Sequence, residues 1–81
     1  MQRTPVVSSN IKSIGLEGNV LEVEFSNGGR VYQYTGSTAA AHHEAMTKAE
    51  SIGAYFAKHV RNDPALQTTR VDAAAGSGGA A

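Results

Sequence analysis

The side chains able to do chemistry in this chain fall into a few short groups. Ser8 and Ser9 stand before the first apolar run. Tyr32 and Tyr34 alternate in VYQYT, and Tyr55, Lys58, His59 and Arg61 lie within ten residues of one another. Hydroxyls, an imidazole and two cations in this combination suit recognition of a small anionic group such as a nucleotide or a peptide terminus. Ser8, Ser9, Tyr34, Tyr55, Lys58, His59 and Arg61 are therefore the candidate binding residues, and the competing reading is a polar network that ties the lead-in to a helix. Nothing in the spacing marks a catalytic residue. Ser8 and Ser9 have no base assigned to them, and Gly28-Gly29 reads as a hairpin turn rather than a phosphate loop. Glu22 and Glu24 lie about 7 Å apart on one strand face, but nothing beside them would exclude water or raise one pKa. His42 and His43 diverge by about 100° on a helix, and no histidine pair has i,i+4 spacing, so no metal and no cofactor is expected. His42 and His59 are expected on buried stripes, as neutral hydrogen-bonded core residues.

The elements that must hold these groups can be read from periodicity and turn chemistry. IKSIGL predicts a first strand with Ile14 and Leu16 on one face. A turn at Gly18-Asn19 pairs Ile14 with Val23 and Leu16 with Leu21. In VLEVEF, Leu21, Val23 and Phe25 alternate with Glu22 and Glu24, giving one dry face and one acidic face. Asn27-Gly28 is the strongest hairpin signal, and it places Phe25 opposite Arg30, Val23 opposite Tyr32 and Leu21 opposite Tyr34. Both tyrosines then face the core, which argues against a sheet that stacks bases on exposed aromatics, and a slip of one residue would invert that outcome. Ser37 or Thr38 caps a helix over about 37–49, with a thin stripe of Ala39, His42, Met46 and Ala49. Ser51 caps a second helix in which Ile52, Tyr55, Phe56, His59 and Val60 form the best amphipathic pattern in the chain, ended by Asn62, Asp63 and Pro64.

The expected architecture is α+β: a three-stranded antiparallel meander with two helices on one face, in the order β-β-β-α-α. Residues 66–71 are either a short edge strand or an extended cover. The expected core is Ile14, Leu16, Leu21, Val23, Phe25, Tyr32, Met46, Ile52, Phe56 and Val60. Residues 1–71 form the single domain, and the Ala/Gly/Ser-rich stretch 72–81 reads as a flexible tail.

With 81 residues and no cysteine, the chain has one small core held by packing alone. Seven Lys and Arg balance seven Asp and Glu, which leaves no strong footprint for nucleic acid or anionic lipid. No run approaches the roughly 18 apolar residues of a membrane span, and the N-terminus lacks an apolar signal region. A cytoplasmic protein without membrane contact is expected.

The ordered motifs SSNI, SIG, LEVEF, GG before Tyr32-Gln33-Tyr34, and SIGAYF followed by HVR resemble the KTSC domain family over roughly Val6 to Val71. That resemblance implies a domain of about sixty residues, found at the C-terminus of some lysyl-tRNA synthetases and as stand-alone bacterial and phage proteins, with RNA binding suggested by the synthetase association. Ala57 departs from the polar residue, often Asn, that the family resemblance leads one to expect after the Tyr-Phe pair. The expected function is a small non-catalytic binding module, with a protein partner favoured. RNA binding is the alternative, and an inhibitor that sequesters a protein or nucleotide ligand is a third reading. The thin helix over 37–49 offers a surface for a homodimer.

Overall fold

The computed structural model describes residues 2–71, so the stretch read as a tail lies outside the described residues. The chain runs β1 (Thr4–Pro5), β2 (Ile11–Glu17), β3 (Val20–Phe25), β4 (Val31–Thr35), α1 (Ala39–Lys48), α2 (Ile52–Tyr55), a π-helical turn (Phe56–Val60) and β5 (Gln67–Arg70). The strands form one antiparallel sheet in sequence order, and the sheet has five strands rather than the three expected. Both additions are short edge strands: β5 resolves the alternatives open for residues 66–71 in favour of an edge strand, whereas β1 has too little apolar content to announce it. β1 contains Pro5, which an edge strand tolerates because one side of its backbone makes no ladder. β5 is exposed at every residue.

Turn chemistry sets the register. Ile14 pairs with Val23 and Leu16 with Leu21, while Val23 pairs with Tyr32 and Leu21 with Tyr34. Gly28 and Gly29, both at positive φ, make the second turn, and the Phe25 amide donates to the Arg30 carbonyl across it at 2.8 Å. β5 extends the pattern, with Thr68 opposite Tyr34 and Arg70 opposite Tyr32 on the helix-facing side.

Ile14, Leu21, Val23, Met46, Phe56 and Val60 are buried, and Leu16, Phe25, Tyr32 and Ile52 pack against them partly buried. Ile11 joins this core although strict alternation from Ile14 places it outside. An irregularity in pairing between Ile11 and Ser13 inserts a residue and turns Ile11 inward opposite Phe25. The first helix is also better anchored than its alanines suggest, since Ala39 and Met46 are both fully buried. The second helix departs from α geometry after one turn. Ser51 caps it by accepting from the Ala54 amide at 3.2 Å. Past Tyr55 the ladder widens, so that the Arg61 amide donates five residues back to the Phe56 carbonyl at 2.9 Å.

The outer face of the sheet is not the solvated acidic surface that alternation implies. The lead-in crosses it, and the Arg3 guanidinium pairs with Glu22, lies 3.5 Å from Glu24 and donates to Ser13 Oγ at 3.0 Å. Gln33 donates to Glu22 at 2.9 Å, and Ser13 donates to Glu24 at the same distance. Glu22 is consequently only 7% exposed. Gly15 makes room for this arrangement, because a side chain there would collide with the Gln2 carbonyl.

Candidate functional site

The seven residues singled out for binding separate into four places. Ser8 Oγ accepts from the amides of Asn10 and Ile11, both at 3.3 Å, so it stabilises the turn into β2. Ser9 is exposed in that turn, and Lys58 is exposed on the π-helical turn without lining a cleft. The Tyr55 and His59 rings meet at a tilt of 41° with centroids 4.6 Å apart. Only Tyr34 and Arg61 meet in a cavity.

Tyr55 belongs to a polar chain that closes the helical layer. His42 Nδ1 lies 2.9 Å from the Tyr55 hydroxyl, and His42 Nε2 lies 2.7 Å from Asp63 Oδ2. A carboxylate only accepts, so Nε2 carries the proton, and in the neutral ring Nδ1 accepts from Tyr55. Thr38 also donates to Asp63 Oδ2, at 2.7 Å. The hydrogen bond from His42, then that from Thr38, then the Ala65 amide hold the Asp63 carboxyl down at about 2. His42 is thus a hydrogen-bonded, largely covered histidine as expected, whereas His59 is exposed rather than buried. Its position on the widened turn explains the difference, because a π-helical segment rotates residues off the 3.6-residue stripe. Asp63, read from sequence only as a helix terminator, is the residue that makes this chain. No group of His, Asp or Glu among the described residues is arranged to hold a metal ion.

The cavity lies between the π-helical turn and the β4–β5 side of the inner sheet face. It has a volume of about 330 Å³ and is lined by Phe25, Arg30, Tyr32, Tyr34, Phe56, Arg61 and Thr68. Its floor is a cluster of rings: Phe56 meets Phe25 and Tyr34 edge-on at 5.3 Å each, Phe25 meets Tyr32 at 5.7 Å, and Tyr32 stacks on Tyr34 at 6.4 Å. Arg61 lies over Phe56 at 5.9 Å and Arg70 over Tyr32 at 6.0 Å. A second cleft of about 230 Å³ adjoins the first, sharing Phe25, Arg30, Phe56 and Arg61 and adding Asn10, Ile11, Asn27, Gly53 and Ala57. Burial, reinforced by Tyr32 and opposed by Arg61, pushes the Tyr34 hydroxyl up to about 12, so it remains a protonated donor. Neither Arg30 nor Arg61 makes an ion pair with the described residues, and the Tyr32 and Tyr34 hydroxyls make no hydrogen bond with them.

Arg30 was within reach of sequence reasoning, since the hairpin register already set it opposite Phe25. Thr68 was not, because its position depends on the pairing of β5. The approach of Arg61 to Phe56 was also hidden, because the two are five residues apart and only a π-helical turn stacks them.

Comparison with known proteins accords with this architecture. The KTSC domain profile matches residues 7–63. A KTSC domain protein from Yersinia pestis, known from its crystal structure, is similar with a TM-score of 0.74 and 34% sequence identity, over 85% of this chain and 94% of that one. No curated protein matches. With the profile spanning most of the described fold and the solved structure sharing its architecture, this chain belongs to the KTSC domain family.

Proposed function

We propose that the chain is a small non-catalytic binding module that engages a protein partner in the cytoplasm. The observation that carries this reading is the β5 edge. Gln67–Arg70 is exposed at every residue and lies at the end of the sheet, beside a cleft lined by Arg30 and Arg61, which make no ion pair with the described residues. An extended segment of a partner can add to such an edge through main-chain hydrogen bonds. Each described helix is also too short or too polar to cross a membrane.

RNA binding is the second reading, favoured by one specific feature: arginines set against aromatic rings, which is the chemistry that holds phosphates and bases. Self-association through α1 ranks below both, because its large apolar residue, Met46, is already fully buried against the sheet.

Capture from a nuclease-treated lysate, followed by hydrogen exchange on the purified complex, tests the order of these readings. The expected result is a protein that survives nuclease treatment and protects the amides of Gln67–Arg70. Loss of all bound protein on nuclease treatment would sink the protein reading in favour of RNA. A complex in which protection falls on α1 instead would move the interface there.

A further inference from the structure

The two adjoining clefts form one bi-lobed site. Phe25, Arg30, Phe56 and Arg61 line both lobes, so these four residues stand at the divide between them. Among the residues lining either lobe there is no carboxylate, although the chain carries as many acids as bases. The larger lobe adds Tyr32, Tyr34 and Thr68, and the smaller lobe adds Asn10 and Asn27.

We infer that this bi-lobed cleft binds a nucleoside phosphate, either free or at the end of an RNA strand, with Arg30 and Arg61 on the phosphate and the base in the lobe of Tyr32, Tyr34 and Thr68. Guanidinium forks match phosphate oxygens two at a time, and two arginines lining one cleft suit a group with more charge and more acceptors than a carboxylate. Ring edges and faces in the larger lobe offer a planar base both contact area and polar partners, since the tyrosine hydroxyls have no hydrogen bond within the described residues. Asn10 and Asn27 supply donors and acceptors of the kind that sugar hydroxyls require. Size fits as well: the larger lobe stands at the lower end of the roughly 300–1,000 Å³ typical of small-molecule sites. Such a site admits one nucleotide rather than a folded polymer. It does not depend on a partner docking at the β5 edge, so nucleotide binding and protein capture fail separately.

Isothermal titration calorimetry on the full chain tests the site, with 5′-AMP, 5′-UMP, adenosine, uridine, inorganic phosphate and a 5′-phosphorylated RNA trinucleotide as probes. The expected result is saturable binding of a mononucleotide or of the trinucleotide, with the nucleosides and inorganic phosphate weaker by about tenfold or more. Binding of mononucleotides at least as tight as that of the trinucleotide assigns the site to a free ligand, and binding of the trinucleotide alone assigns it to a strand end. Arg30→Ala and Arg61→Ala are each expected to weaken binding by about tenfold or more. Arg61→Lys keeps the charge without the fork, and it serves if Arg61→Ala unfolds. Tyr34→Phe, which keeps the ring, is expected to lose affinity several-fold while thermal melting stays at the wild-type value. Absence of saturable binding by every nucleotide probe at millimolar concentration overturns the inference. So does binding that both arginine substitutions leave unchanged.

Discussion

Tyr34 has a ring that packs in the core and also lines the cleft, and two substitutions separate the ring from the hydroxyl. The ring packs edge-on against Phe56 at 5.3 Å, and the residue is 5% exposed. Tyr34→Ala should therefore cost about 3–5 kcal/mol, the range for truncating a buried aromatic, as read from urea unfolding. Tyr34→Phe keeps the packing and should leave the unfolding midpoint nearly unchanged. Equal losses in the two variants would mean that the hydroxyl, not the ring, stabilises this position. Asp63 supplies a second test at this scale. Its carboxyl lies at about 2 in the folded protein against an ordinary value of 3.8, chiefly because His42 and Thr38 bond to the ionised form. A group depressed by folding contributes stability that is fully present above the unfolded value and is lost as pH falls through the folded one. Wild-type stability should accordingly decline between about pH 4 and pH 2, and Asp63→Asn should flatten that part of the profile. An unchanged slope in Asp63→Asn would assign the acid sensitivity to other carboxylates.

At the scale of elements, the hairpin was legible because its turns and alternation agree, so one register satisfies every side chain from Ile14 to Tyr34. The edge strand β1 and the π-helical turn were not, and β5 was legible only as one of two alternatives for residues 66–71. Their positions follow from tertiary pairing and from a backbone widening that no 3.6-residue pattern encodes. The same limit scattered the seven candidate binding residues, since they were grouped by their nearness to one end of the sheet rather than by what each one touches. β1 shows what the missed pairing does. Arg3, immediately before it, covers Glu22, whose side chain is only 9% exposed, and spans to Glu24 and Ser13 as well. Arg3→Ala leaves a nearly buried carboxylate without its cation and should cost about 1–3 kcal/mol, read as a lower melting temperature. Gly15→Val should do similar damage by another route, pushing the lead-in off the sheet through its clash with the Gln2 carbonyl. If both variants melt like wild type, β1 is an ornament rather than a cover.

On the scale of the whole molecule, formal neutrality hides a segregation of charge. Glu22 and Glu24 are matched by Arg3 on the outer face of the sheet, whereas Arg30 and Arg61 flank an aromatic cleft beside the helices without a described carboxylate to pair with. The two sets should respond differently to salt. Screening acts strongly on exposed charges, with a Debye length falling from about 30 Å at 0.01 M to about 3 Å at 1 M, and much less on partly buried pairs. Raising the ionic strength across that range should weaken binding of any anion at Arg30 and Arg61 while moving the denaturation midpoint little, because the Arg3 pairs are covered. Calorimetry and chemical unfolding, each run at several salt concentrations, check the two halves of this expectation. Anion affinity that is indifferent to salt would mean that the rings rather than the arginines hold the ligand. Stability that falls in step with affinity would mean that the fold itself, and not only the cleft, relies on exposed charge.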